Sequence, residues 1–198
     1  NQLAGEAEEA VWARTTADKL RKVFHRTFWN GKYYISPGYQ GKPDDRAQAL
    51  AVVSGVLPKE LYPVIRPFFS TWYHASPYME KYVLEALCTM GYYQDALNRM
   101  KLRYRVMIES PLTTLWEGWG IGSEGFGGGT YNHAWSGGPL TILSQYIAGI
   151  ETLEPAFRTF RVAPHPAHLN FIRTQVPLSG GRRIVFEMDK SAHSGTRD

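Results

Sequence analysis

Cysteine is nearly absent from the sequence, since Cys88 is the single one in 198 residues. One cysteine cannot form a disulfide framework within the chain or a cysteine-based zinc site, so both are excluded. Cys88 lies at an apolar position of a predicted helix, and we expect a buried thiol there.

Long apolar runs are also missing. No stretch reaches the length of about 18 apolar residues that a membrane-spanning helix needs, and no signal peptide follows Asn1. We therefore expect no membrane partner. The chain starts without Met and inside a helical pattern, which favours a processed product or a fragment of a longer protein. Cytoplasm, periplasm and secretion all remain open as its location.

Charge of one sign is not concentrated anywhere in the chain. The formal net charge is +4, and Lys and Arg are spread along the sequence with only short clusters such as Arg182-Arg183. Without a basic stripe or a known motif, we expect no nucleic-acid partner. The composition, 43% hydrophobic and 20% charged, is typical of a globular protein. The 6 Trp and 12 Tyr suit either a well-filled helical core or stacking against carbohydrate.

Helical periodicity dominates the first part of the chain. Apolar residues spaced by three and four predict an amphipathic helix over 6–28. The aromatic piece 32–35 is expected to be a strand or an extended loop. Asp44 or Asp45 is expected to cap the next helix. Pro58 opens a third helix, which further prolines keep short or kinked.

Three further helices are predicted over 78–90, 95–108 and about 136–149. The link between the first two is short, which indicates antiparallel neighbours. From Pro155 the pattern changes to three β-type runs, 157–163, 168–176 and 182–188, separated by turn residues.

This order predicts a mainly α protein with a β module at its end. We divide the chain into a helical-hairpin region at 1–154, a β-strand module at 155–190 and a polar tail at 191–198.

The stretch 109–138 carries the most distinctive chemistry. Trp116-Glu117-Gly118-Trp119 places one ionisable group between two large flat apolar surfaces, an arrangement that suits a sugar ring. Thr113 and Thr114 are expected to hold the Glu117 carboxylate by hydrogen bonds. The simpler alternative is that Glu117 caps a helix or forms an ion pair at a helix end, and that the tryptophans fill the core.

A Gly-rich segment over 125–129 follows, in which positive φ and close backbone approach to a ligand are possible. It lacks the Gly-Lys-Ser/Thr ending of a phosphate loop, and Glu124 just before it is expected to be solvated. Tyr131-Asn132-His133 then supplies three polar side chains that can point at hydroxyl groups, with Trp135 beside them. A core position is the alternative for His133 and for the aromatic residues. No His or Cys partner at ligand spacing indicates a metal site.

Four segments follow one another in the chain: Thr-Thr-Leu-Trp-Glu-Gly-Trp over 113–119, Asn132-His133, Ala-Gly-Ile over 148–150 and a Pro-containing β start. This order resembles the bacterial α-L-rhamnosidase family of glycoside hydrolases. The resemblance spans residues 40–190 and is strongest over 111–164. It implies the C-terminal half of an (α/α)6 six-hairpin barrel, followed by the start of a β-sandwich. It also implies a carbohydrate substrate, with a terminal deoxy-sugar hydrolysed by inversion. The sequence itself indicates no metal or other cofactor, and we expect none.

By the same resemblance, Glu117 is the general base, and the general acid comes from an acidic cluster earlier in the barrel. Asp44-Asp45-Arg46 matches that cluster only superficially, because Ala47-Gln48 follows it. We therefore expect the acid in a missing N-terminal part of the same protein. Helix N-termini line the pocket of such a barrel, which adds four residues as possible ligand contacts: Asp45, Arg46, Tyr78 and Glu80. The expected substrate-binding set is Trp116, Trp119, Tyr131, Asn132, His133, Trp135, Asp45, Arg46 and Tyr78.

Two other functions remain open at this point. The chain could be a non-catalytic carbohydrate-binding or structural fragment, which the missing acid favours. It could also belong to an (α/α)-barrel polysaccharide lyase, in which Tyr131 and His133 would act as base and acid.

Overall fold

The structure is a computed structural model that describes residues 6–121 and 129–191. The chain divides into two compact units, residues 1–74 and residues 75–198. The first unit is helical, and the second combines helices with two small antiparallel sheets. No helix within the described ranges is long and apolar enough to cross a membrane.

The first unit begins with helix α1 (Ala7–Phe28), close to the predicted bounds. No residue of α1 is buried, and Val11, Trp12 and Leu20 are largely exposed. The periodic pattern therefore predicted the helix correctly. Its apolar face is largely exposed, except near its end, where Phe24 packs against Tyr34.

A backbone turn after α1 is fixed by a side chain of the next helix, α2 (Asp45–Val53). The aromatic piece predicted as a strand or loop forms an isolated bridge between Trp29 and Tyr34. The Tyr34 N–H donates to Gln48 Oε1 at 2.8 Å, and Gln48 Nε2 donates to the Tyr34 carbonyl at 2.9 Å. Gln48 is fully buried. Its side-chain amide forms the hydrogen bonds with the Tyr34 N–H and carbonyl that a neighbouring strand would form in a sheet.

The caps and prolines of this unit act as expected. Asp44 caps α2, since its carboxylate accepts from the Arg46 N–H at 2.8 Å. The third helix, α3 (Tyr62–Ile65), is only 4 residues long and is flanked by 3-10 turns at Lys59–Leu61 and Arg66–Ser70. The prolines remove helical N–H donors here, which explains the short elements.

The second unit starts with helices α4 (Pro77–Thr89) and α5 (Tyr93–Ile108). Ser76 caps α4 by accepting from the Met79 N–H at 3.3 Å. The two helices pack on each other, as the short link predicts. Cys88 is buried as expected, and this burial raises the pKa of its thiol to about 12. The thiol is therefore protonated and unreactive near neutral pH.

The single helix predicted over 136–149 is divided in the structure. A 3-10 turn at Ala134–Gly137 leads into α6 (Gly138–Ile142), and a π-helical turn follows at Leu143–Ile147. The Ala148 N–H donates to the Leu143 carbonyl at 2.8 Å, which is the wide π-type bond. Apolar periodicity cannot distinguish this bond from the α-helical one.

Four strands follow, where three β-type runs were predicted. Strand β1 (Ile150–Thr152) pairs with β2 (Phe160–Val162), and β3 (Phe171–Pro177) pairs with β4 (Arg183–Asp189), both antiparallel. Strand β1 has only 3 residues, too few for an alternating pattern.

The strands share a core with the preceding helices. Ile172 of β3 and Ile184 of β4 belong to the same buried cluster as Leu97 of α5 and Ile147 of the π-helical turn. This part of the structure is mainly helical with strands packed against it. The (α/α)6 barrel, the β-sandwich and the domain boundary at residue 154 stay predictions.

Gly149 joins the helices to the first hairpin, and its replacement by Ala is expected to destabilise the protein by about 3 kcal/mol or more. Its φ is +68°, and an added Cβ would lie 1.8 Å from the Ala163 carbonyl oxygen. Urea denaturation followed by circular dichroism measures the loss.

Gly180→Ala is the matched control for this prediction. Gly180 has a similar φ of +70°, but an added Cβ meets nothing within 4 Å. We expect this variant to show only the backbone cost of about 1–2 kcal/mol. Equal losses in the two variants would contradict the close approach of Ala163 to Gly149.

Candidate functional site

Two segments of the second unit, on either side of residues 122–128, run side by side through backbone hydrogen bonds. The Glu117 N–H donates to the Thr130 carbonyl at 2.9 Å, and the His133 N–H donates to the Leu115 carbonyl at 2.8 Å. The Thr114 hydroxyl adds a hydrogen bond to the Tyr131 carbonyl. These bonds bring the predicted base and the Asn-His pair to one place from either side of residues 122–128.

The Glu117 carboxylate is held by one of its two oxygens. Its Oε2 accepts from the Thr130 N–H at 2.9 Å and lies 3.6 Å from His133 Nδ1. The Thr130 hydroxyl is also 3.2 Å from that nitrogen. The expectation that Thr113 and Thr114 hold this carboxylate is wrong, because the donor is the Thr130 amide and the Thr114 hydroxyl bonds to Tyr131 instead.

Water can reach the acidic group. The Glu117 side chain is 30% exposed and the His133 side chain 34% exposed. Within the described residues, the structure gives Oε1 of Glu117 no hydrogen-bond partner. This oxygen can therefore accept a proton from a water molecule or a hydroxyl group of a ligand.

The two tryptophans beside Glu117 are engaged in packing. Trp116 is buried, and its ring meets that of Tyr131 edge to face with centroids 5.1 Å apart. Trp119 donates from its indole nitrogen to the Ala75 carbonyl at 2.7 Å and meets Tyr104 edge to face at 5.0 Å. Both tryptophan rings fix the segment that carries Glu117. Stacking against a sugar is therefore better supported for the exposed aromatic rings nearby than for these two.

Those exposed rings form a row next to His133. The Trp135 ring lies 4.1 Å from the His133 ring and 5.4 Å from the Tyr78 ring, between centroids. Trp135 and Tyr78 are both 42% exposed. Asn132 is exposed as well, and its side chain forms no hydrogen bond with residues 6–121 or 129–191. This aromatic row offers flat apolar surface beside polar groups, which suits a sugar ring.

A buried ion pair lies behind the site. Glu80 is fully buried and accepts from Arg99 Nε at 2.5 Å and Arg99 Nη2 at 3.0 Å. Arg103 is 3.5 Å from the same carboxylate, and its guanidinium lies 4.3 Å from the Trp119 ring centroid. The expectation that Glu80 contacts a ligand from the end of its helix is therefore wrong, since the buried carboxylate is paired with Arg99.

Two predicted site residues belong to the first unit. Asp45 is fully buried and accepts from the His74 N–H at 3.1 Å. Arg46 pairs with Asp44, and hydrogen bonding to Arg46 lowers the pKa of Asp44. Potential ligand atoms of Asp44, Asp45 and His74 lie within 4.8 Å of one another. Both Asp44 oxygens already accept from Arg46, so a metal ion would have to displace that arginine.

Part of the predicted site lies outside the described residues, namely Glu124 and three glycines of the Gly-rich segment, Gly125, Gly127 and Gly128. Gly129 is described and has a φ of 126°. Among the described residues, Thr130 contacts Glu117 in a way that the residue pattern did not indicate. It acts through its backbone N–H, and a backbone donor leaves no signature in the residue type.

Together, the described residues define a mainly helical protein with two small antiparallel sheets and an accessible carboxylate-histidine site. No protein-family model matches the sequence, and a search of curated proteins gives no match. Among solved structures, the chain is similar to a GH78 family rhamnosidase of Bacillus sp. GL1, with a TM-score of 0.76 and 27% sequence identity. The match covers 93% of this chain and 21% of that chain. This similarity supports a glycoside hydrolase-like fold.

Proposed function

We propose that these residues form the general-base half of an inverting glycosidase of the α-L-rhamnosidase type. The observation that carries the proposal is the Glu117 carboxylate. One of its oxygens is oriented by the Thr130 amide, the other has no partner among the described residues, and the side chain is 30% exposed. A general base needs such an orientation, with a free lone pair facing water.

The surroundings of Glu117 support a carbohydrate as the substrate. The exposed aromatic row of Trp135 and Tyr78 begins at His133, which itself lies beside the carboxylate. A sugar ring stacked on this row would bring its hydroxyl groups to the polar atoms of Asn132 and His133. The similarity to a rhamnosidase structure agrees with a terminal deoxy-sugar as the group released.

In this proposal the general acid lies outside residues 1–198. Inverting glycosidases place acid and base about 6.5–9.5 Å apart, so that a water molecule fits between the base and the sugar. The solved rhamnosidase chain is much longer than the part matched, since the match covers 21% of it. Arg46, Trp119 and Tyr131 remain proposed substrate contacts, whereas the burial of Asp45 and Trp116 argues against a contact by either.

The lyase alternative gains no support from the site. A lyase of this kind needs a tyrosine hydroxyl free to act on the substrate. The Tyr131 hydroxyl instead donates to the Ile121 carbonyl at 3.0 Å, and its ring packs against Trp116.

The test is an activity assay of the complete protein that contains these residues, with an aryl α-L-rhamnoside as substrate. Proton NMR during the reaction identifies the anomer of the sugar released first. We expect the β anomer, which shows inversion. Release of the α anomer, or of an unsaturated product that absorbs ultraviolet light, would overturn the proposal. Sugar binding without any turnover would favour a non-catalytic carbohydrate-binding protein.

A further inference from the structure

A second cleft lies in the same unit, away from Glu117. It has a volume of about 500 Å³ and is bordered by the end of α4, the π-helical turn and the hairpin of β1 and β2. Its polar lining includes Thr89, Tyr93, Gln145, Glu151, Arg161 and His165. Sites for small molecules commonly measure about 300–1,000 Å³, so this cleft is large enough for one.

The cleft and the Glu117 site lie at opposite ends of α4. Tyr78, in the aromatic row, is at the start of this helix, and Thr89, in the cleft, is its last residue. With a rise of about 1.5 Å per residue, these two positions are about 16 Å apart along the helix axis. A ligand in the cleft therefore does not overlap the proposed catalytic site.

The charges of the cleft favour a neutral ligand. Arg161 and Glu151 form an ion pair across the β1–β2 hairpin, so the pair has no net charge. Gln145 is exposed, and within the described part of the chain its side-chain amide has no hydrogen-bond partner. An amide offers two donors and an acceptor, which is the combination that ligand hydroxyl groups require.

One wall of the cleft is aromatic and firmly held. The rings of Tyr93 and His165 are stacked, with centroids 4.1 Å apart and planes at 7°. The His165 N–H donates to the Ile147 carbonyl at 2.9 Å, which ties this wall to the end of the π-helical turn. Turns of this kind are rare and often occur at functional sites. Here the turn carries Gln145 and Tyr146, and both line the cleft.

We propose that this cleft is a second carbohydrate-binding site, which holds one neutral sugar unit by stacking on the Tyr93–His165 pair and by hydrogen bonds to Gln145. The inference rests on the cleft alone and does not require Glu117 to be catalytic. It would give the protein a contact to its carbohydrate ligand apart from the place of bond cleavage.

The test is a titration of the 198-residue chain with L-rhamnose and with D-glucose, followed by amide chemical shifts in nitrogen-proton NMR spectra. We expect saturable shifts at the cleft residues with at least one sugar. Gln145→Ala and His165→Ala each remove one contact and should weaken this binding roughly three- to tenfold. Both residues are exposed, so the variants are expected to fold, and their spectra show whether they do.

Two controls separate this site from the rest of the surface. Gln175→Ala removes an exposed glutamine of β3 that does not line the cleft, and Glu117→Gln alters the other site. Neither should change the affinity measured at the cleft residues. Absence of saturable shifts with both sugars would overturn the proposal, as would tighter binding of inorganic phosphate or loss of the shifts in Glu117→Gln. The titration does not depend on the activity of the complete protein, so it can fail or succeed independently of the activity assay that tests the proposed function.

Discussion

Turnover by the complete protein is expected to fall by about 10²–10⁴ when Glu117 is replaced by Gln, the usual contribution of a general base. The amide of Gln has nearly the same shape as the carboxylate, and its carbonyl oxygen can still accept from the Thr130 N–H, now at 2.9 Å from Oε2. The loss should therefore appear in kcat, while KM and the free energy of unfolding change little. Steady-state kinetics with an aryl α-L-rhamnoside measures both parameters.

Glu109→Gln is the matched control for this experiment. Glu109 follows α5 and forms an exposed ion pair with Arg105 at 2.7 Å, with its own side chain 61% exposed. It is close to Glu117 in the sequence, and within the described residues it forms no hydrogen bond or ion pair with Thr130 or His133. We expect kcat to be unchanged in this variant. Equal kcat in Glu117→Gln and in the unaltered protein would remove Glu117 from the mechanism.

The sequence indicated much of this site because the important residues are close together in two short segments. Glu117 and His133 were both predicted from local pattern and resemblance, and the structure places them 3.6 Å apart. The helices α4 and α5 were also predictable, since their apolar residues repeat at helical spacing and turn residues separate them.

The features that the sequence did not show depend on contacts between distant residues. Glu80 has the position of a helix-end acid, and only the arrival of Arg99 from the next helix makes it a buried ion-pair partner. Trp119 bonds to the carbonyl of Ala75, which no local pattern indicates. The π-helical turn likewise depends on which carbonyl each N–H reaches, and residue type alone does not determine this.

The second large effect is expected at this ion pair, where Glu80→Gln should destabilise the protein by about 3–5 kcal/mol. The Glu80 side chain is 0% exposed and that of Arg99 2% exposed, so the substitution removes the negative charge that faces a buried guanidinium. Arg103 would lose the same neighbour. Urea denaturation of the 198-residue chain, followed by circular dichroism, measures the change.

Glu109→Gln again provides the comparison, because it removes the same kind of charge from an ion pair in which both side chains are more than half exposed. Such pairs contribute about 0–1 kcal/mol, so this variant should unfold almost like the unaltered protein. If both variants lost less than about 1 kcal/mol, Arg99 would have to be hydrated after the substitution, and the pair would not be buried as described. A large loss of unfolding free energy confined to Glu80→Gln would show that the buried pair stabilises the packing of α4 on α5.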